Sequence, residues 1–131
     1  MKTKLLILSV CCLLAACDGP LSIIPGGALR GEEIPLILSS VPVDGGVIVL
    51  ETKPDNPYSV HVGFVVIDKN MYIDPAEERT WYEYILADPR VRVRFEGSEQ
   101  IHPAMAVAET DVFILDQFET DRHVLRIEPR Q

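Results

Sequence analysis

The segment YSVHVGFVVIDKNMYIDPAEERTWYEYILADPRVRVRF, residues 58–95, contains the strongest structural signals of this 131-residue chain. Its first part predicts a β-hairpin, formed by residues 58–68 and 71–74 around a turn at Lys69-Asn70. Apolar residues occupy both faces of the first hairpin strand, which predicts a central strand covered on both sides.

A short helix and a strand complete the segment. Residues 76–87 have a helical composition, and three of their large apolar residues share one side at i, i+3, i+4 spacing: Trp81, Tyr84 and Ile85. Beyond them, apolar residues alternate with arginines in the clearest period-two pattern of the chain, Arg90-Val91-Arg92-Val93-Arg94-Phe95. This pattern predicts a half-buried strand with an arginine face.

The flanking sequence supplies further short elements. Residues 34–38 and 47–50 are strand candidates separated by turn residues, and residues 101–108 and 124–127 predict two later strands. Residues 111–118 predict a short helix capped by Asp111. Six or so short strands with one or two small helices favour a mainly β fold, a closed or partly closed antiparallel barrel, with a sandwich as the alternative.

The N-terminus has the pattern of a secretion signal. Lys2 and Lys4 precede an apolar run over residues 5–14, which is too short to span a bilayer as a helix. The ending Leu14-Ala15-Ala16-Cys17 resembles the lipobox of bacterial lipoproteins. We therefore predict that residues 1–16 are a signal peptide and that Cys17 is lipidated and becomes the first mature residue; the alternative, a buried apolar helix, is disfavoured by the terminal position.

The same region predicts location and domain organisation. Asp18 resembles the signal that retains lipoproteins in the inner membrane, so we expect attachment on its periplasmic face through the lipid at Cys17. Glycines and prolines make residues 17–31 a predicted flexible tether. Residues 32–131 then form one domain.

Charge and cysteine content exclude several classes of function. The net charge is −8, and removal of Lys2 and Lys4 with the signal makes the mature chain more acidic still, so nucleic acid is not expected as a partner. Cys11 and Cys12 would leave with the signal and Cys17 would carry lipid, which excludes disulfides and thiolate catalysis. The three histidines lack ligand spacing, so no metal site is predicted and structural roles are favoured for His61, His102 and His123.

Three blocks of sequence resemble the FMN-binding split-barrel family, which includes pyridoxamine-phosphate-oxidase-like proteins and deazaflavin-dependent nitroreductases. They are Pro57-Tyr58-Ser59-Val60, Met71-Tyr72-Ile73, and TWYEYILADPRV at residues 80–91. The resemblance extends more loosely over residues 46–112. It implies a six-stranded antiparallel split β-barrel that binds FMN or a deazaflavin, often between the two subunits of a homodimer, and transfers hydride or electrons.

The resemblance also implies a cofactor site. The matching positions are Arg79, Thr80 and Trp81, with Tyr72 as a weaker match. A guanidinium and a hydroxyl near a helix N-terminus suit a phosphate, and an indole can cover the edge of an isoalloxazine. No catalytic residue is assigned.

Alternatives remain open for function and for individual residues. The chain is an envelope oxidoreductase that uses a flavin or deazaflavin, or a non-catalytic, membrane-tethered module that binds a small ligand or a protein. Trp81 contacts a cofactor or anchors its helix on the barrel. The arginine face, formed by Arg90, Arg92 and Arg94, binds an anion or pairs with glutamates of neighbouring strands such as Glu51 or Glu99. Glu77 and Glu78 would repel a phosphate, and with Glu83 they fit a solvated helix face.

Overall fold

The structure, a computed structural model, describes residues 26–42 and 44–131. The predicted signal peptide, Cys17, Asp18 and the first part of the predicted tether lie outside these residues. Over the described part of the chain, no helix has the length and apolar character needed to cross a membrane.

Six strands form a closed antiparallel barrel in the order β1-β2-β3-β6-β5-β4. This result confirms the barrel rather than the sandwich. The strands are β1 (Gly46–Thr52), β2 (Tyr58–Ile67), β3 (Asn70–Ile73), β4 (Arg90–Phe95), β5 (His102–Ala108) and β6 (Leu125–Pro129). The helices are α1 (Thr80–Ala87) and α2 (Val112–Leu115), and a single 3-10 turn spans Leu38–Ser40.

Alternation along the strands separates the core from the outer wall. Side chains at every second position point inwards and pack into one apolar core, whose most buried members include Ile48, Leu50, Met71, Ile73, Val93 and Ile127. On β4, Val91 and Val93 are buried while the arginines between them face outwards, as the period-two pattern predicts. The barrel therefore has a filled, mainly apolar core, in which the buried Thr52 hydroxyl donates to the Tyr58 carbonyl.

Both helices lie against the barrel and begin in different ways. Trp81 and Ile85 of α1 are buried in the barrel core cluster. The helix α1 has no side-chain cap at Arg79, whereas the Asp111 carboxylate accepts the Phe113 N–H and caps α2 as predicted. The first turn of α1 is thus left with backbone N–H groups that no capping side chain satisfies.

Three local expectations are wrong. The outer face of β2 is not covered, since His61 and Gly63 are exposed and Val65 is 42% exposed. The hairpin turn is Asp68-Lys69, one residue earlier than predicted. Residues 34–38 form no strand; Leu36 packs into the barrel core, and the segment leads into the 3-10 turn.

Residues 26–34, here called the strap, cross the outer wall of the barrel. Gly26 exchanges two 2.8 Å backbone hydrogen bonds with Ser59 at one end, and Ile34 donates to Ile101 at the other. Between them Leu29 is buried against Val49 and Ile101. The structure therefore differs from the predicted flexible tether over residues 26–31, because a buried leucine and paired backbone groups hold this segment in place.

Candidate functional site

The barrel has a gap along one edge of β2. Residues 58–64 pair with β1, but β3 pairs only with residues 65–67. In an antiparallel strand, each residue directs its N–H and its C=O to the same edge of the strand, and successive residues alternate between the two edges. Ser59 bonds to Gly26 and Val65 faces Tyr72 of β3, so His61 and Gly63 direct their N–H and C=O groups into the gap. No protein partner for these groups lies within residues 26–42 and 44–131.

A cleft of about 740 Å³ opens beside this free edge, within the size range of small-molecule sites. One wall is β2, with inward-facing Val60, Val62 and Phe64 at its base. The opposite wall is the segment from Ile73 to the first turn of α1, completed by Arg122. The cleft therefore combines an apolar base, an unpaired strand edge and a charged rim.

The structure brings three of the four predicted site residues to this cleft. Arg79 and Thr80 lie at the start of α1 and are exposed, and Trp81 follows them in the cleft wall. The uncapped N–H groups of the helix start at the same place, and helix N-termini attract anions. A phosphate at this point would meet a guanidinium, a hydroxyl and backbone donors together.

Trp81 serves mainly as a packing residue. It is 8% exposed and belongs to the core cluster that includes Ile85 of the same helix. Only a small part of the indole therefore faces the cleft, so anchoring of α1 is its main structural effect.

Tyr72 lies elsewhere. It sits between the inward-facing Met71 and Ile73, so its ring points to the outer side of β3 and is buried against Ile114 and Val124 under α2. Burial, followed by the neighbouring Glu109 carboxylate, raises the pKa of Tyr72 above its ordinary value of 10.0. This tyrosine is a neutral packing residue and does not line the cleft.

Arg122 lines the cleft but was not predicted from the sequence. It precedes β6, far along the chain from the hairpin, and its Nη1 donates to the Asp74 carbonyl at 3.1 Å. Its Nε also lies 3.7 Å from a carboxylate oxygen of the exposed Glu119. Pairing of β3 with β6 brings it to the cleft, and only the closed barrel makes that proximity visible.

The rim carries charges of both signs. Arg79 and Arg122 are the cationic side chains, and Asp74 and Glu78 are the acidic ones. Glu77 is exposed and does not line the cleft. Of the two glutamates expected to oppose a phosphate, only Glu78 therefore lies at the cleft. The described residues contain no group of three or more histidine or acidic side chains placed to hold a metal ion.

Comparison with solved structures shows the same fold. A putative pyridoxamine 5'-phosphate oxidase from Listeria innocua is 22% identical over 65% of this chain and 84% of its own, with a TM-score of 0.52. An FAD-binding protein from Mesorhizobium loti is 19% identical over 81% and 94%, with a TM-score of 0.53. A protein described as F420 Reductase is 17% identical over 75% and 97%, with a TM-score of 0.50.

These likenesses are structural. No protein-family model matches the sequence, and no curated protein sequence matches it. At sequence identities below one quarter, the structural match establishes the fold alone. The proteins that share it are named for pyridoxamine phosphate, FAD and F420. The ligand of this chain depends on the residues of its own cleft.

Proposed function

We propose that the cleft binds FMN or a deazaflavin and that the protein is a flavin-type oxidoreductase. The observation that carries the proposal is the free edge of β2. The pyrimidine edge of an isoalloxazine presents two carbonyl acceptors around one N–H donor, and a strand edge offers donors and acceptors in alternation. The backbone groups of His61 and Gly63 supply that pattern inside a cleft of suitable size.

The start of α1 suits the phosphate. Arg79 and Thr80 lie where the first turn of α1 exposes its N–H groups, so these residues would hold the phosphate of FMN. The apolar base formed by Val60, Val62 and Phe64 suits the ring system. When bound, a flavin supplies hydride or electron transfer, and the chain's own residues orient the ring and exclude water from one face.

A second candidate function is a binding module without redox chemistry on the same barrel. The mixed rim favours it, since Asp74 and Glu78 offset Arg79 and Arg122 and weaken the attraction for a dianionic phosphate. This module would take a small zwitterionic ligand or a protein segment at the same strand edge.

Binding of flavin by the purified full-length protein in neutral detergent separates the two. We expect saturable quenching of the fluorescence of FMN, or of a deazaflavin, on titration with protein. A Gly63→Leu variant should weaken it, because Gly63 lines the cleft and a leucine there adds bulk beside the strand edge, while an added Cβ meets nothing closer than the Gly46 carbonyl at 3.8 Å. Ala108→Leu, an exposed strand position outside the cleft, is the matched control. Failure of both flavins to bind would leave the binding module.

We further propose that the protein is an envelope lipoprotein attached to the inner membrane through Cys17. Support comes from the lipobox-like Leu14-Ala15-Ala16-Cys17 and from Asp18. Labelling of growing cells with radioactive palmitate should mark the protein, and Cys17→Ser should abolish the label while Cys12→Ser retains it. Equal labelling of the two variants would overturn the assignment. Homodimer formation stays a prediction from the family resemblance.

A further inference from the structure

A second concave surface lies between the strap and the barrel wall. It is a groove of about 340 Å³ lined by strap residues 26–30 and by Val49, Ser59, His61 and Arg94. In a chain with 20 acidic and 12 basic side chains, no carboxylate lines this groove. Its ionisable side chains are Arg30, Arg94 and His61.

Strand register explains why these side chains meet. Val49 pairs with His61 of β2 on one side and with Arg94 of β4 on the other. Directly opposite residues in antiparallel strands share a face, so His61 and Arg94 flank Val49 on the outer wall. Leu29 covers Val49, and Arg30 is the next residue of the strap. One arginine therefore comes from the barrel and one from the strap.

The two groove arginines differ from their neighbours on β4. Arg90 is paired with Asp88, and Arg92 is held by Glu51 and Glu33. Over residues 26–42 and 44–131, neither Arg30 nor Arg94 has a side-chain hydrogen bond or ion pair. Guanidinium groups carry planar N–H donors that suit the oxygen atoms of phosphate, and here both sets of donors are available.

We propose that this groove binds the phosphate group of a small phosphoester, either free or as a lipid headgroup. Arg94 and Arg30 contact the phosphate oxygens from opposite sides, and Gly27, where an added Cβ would meet no atom within 4 Å, leaves room for the alcohol part. Gly26 lies nine positions after Cys17, which an extended chain spans in about 30 Å. Headgroups of a membrane that holds the lipid anchor are therefore within reach of the groove.

The test observes each arginine separately. Full-length protein in neutral-detergent micelles is titrated with glycerol phosphate. In a second experiment, phosphatidylglycerol is added to the micelles instead. Both titrations follow the arginine Nε–H resonances by NMR at constant ionic strength. We expect Arg30 and Arg94 to shift together and saturate, while Arg92, engaged by Glu51, stays in place. A response to glycerol phosphate identifies a free phosphoester, and a response to doped micelles alone identifies a headgroup.

Variants complete the design. Arg94→Gln should weaken binding about tenfold, the loss expected for one charged hydrogen-bonding partner, whereas Arg90→Gln should not change it. Although His61 lines both surfaces, Gly63 lines only the flavin cleft, so Gly63→Leu should leave the phosphate response intact and separates failure of one site from failure of the other. The proposal is overturned if neither probe gives a saturable shift, or if Arg94→Gln binds as tightly as Arg90→Gln.

Discussion

Arg92 of β4 holds the carboxylate of Glu51 on β1 through two hydrogen bonds, with Nε 2.8 Å from Oε1 and Nη2 2.7 Å from Oε2. The same carboxylate accepts the backbone N–H of Leu29 in the strap, and Arg92 also donates to the Leu29 carbonyl at 3.0 Å. The side chain of Glu51 is only 4% exposed. Hydrogen bonding to Glu51, the first of several causes, raises the pKa of the Arg92 guanidinium, so it stays charged at every accessible pH. One ion pair therefore joins two strands and fastens the strap.

Replacing Glu51 by glutamine should release the strap and destabilise the barrel. The amide cannot accept from Arg92 and Leu29 as the carboxylate does, and we expect a loss of about 2 kcal/mol in the free energy of unfolding. Urea denaturation measures this loss, and trypsin should cleave faster after Arg30, which lies in the released segment. The exposed Glu99→Gln is the control. Equal stability of the two variants would show that the pair contributes nothing.

Stability at low pH should depend on Glu109. The backbone N–H of Asp111, then that of Thr110 and the Arg126 guanidinium, hold the pKa of Glu109 below its ordinary value of 4.5, against the opposing effect of burial. A depressed folded-state pKa stabilises the protein above about pH 4.5, and this stabilisation is lost as the pH falls through the folded-state pKa.

Glu109→Gln should therefore lower the free energy of unfolding at pH 7 by about 1 to 3 kcal/mol. It should also flatten the decline of stability below pH 4.5. Chemical denaturation across this pH range measures both effects, and the exposed Asp116→Asn serves as the control. If the free energy of unfolding of Glu109→Gln fell as steeply with decreasing pH as that of the unmodified protein, the role given to Glu109 would be contradicted.

The hairpin turn at Asp68-Lys69 is a site for stabilisation. Both residues have positive φ, 50° and 65°, which fits a two-residue turn of the type that prefers Asn-Gly. The double change Asp68→Asn and Lys69→Gly should raise stability by about 0.5 to 1 kcal/mol, measured as a higher Tm. Lys69→Ala keeps the unfavourable φ and should give no gain. A Tm that falls in the double variant would contradict the assigned turn geometry.

The arginine pattern of β4 and the hydrophobic hairpin predict individual strands, because side-chain alternation is a local property. The number of strands favoured a barrel and left a sandwich open, and the six-stranded split barrel came from the family resemblance. The same reasoning failed for the outer face of β2. Val65 belongs to the outward-facing side chains of β2, yet no element covers it. An exposed valine cannot be distinguished from a buried one by sequence alone. The short β3 has a different effect, since it leaves residues 60–64 of β2 paired with β1 alone.

The candidate site was only partly predictable. Arg79 and Thr80 were indicated by the family resemblance, which matches them by position, and both line the cleft. His61 and Gly63 contribute through backbone groups, which carry no residue-specific signature, and Arg122 arrives through closure of the barrel between β3 and β6. The strap was missed because glycines and a proline indicate a tether, whereas Leu29 and the Glu51 carboxylate fix it to the wall.

A comparison of FMN with riboflavin is the sharpest test of the cleft as a flavin site, since the two compounds differ only in the phosphate. Fluorescence titration of the full-length protein in neutral detergent gives both dissociation constants, for the unmodified chain and for Arg79→Gln and Arg90→Gln. The cleft geometry predicts that FMN binds about tenfold more tightly than riboflavin, and that Arg79→Gln, but not Arg90→Gln, reduces this preference. Absence of binding by both compounds, or FMN binding that Gly63→Leu leaves unchanged, would contradict the assignment of the cleft as a flavin site.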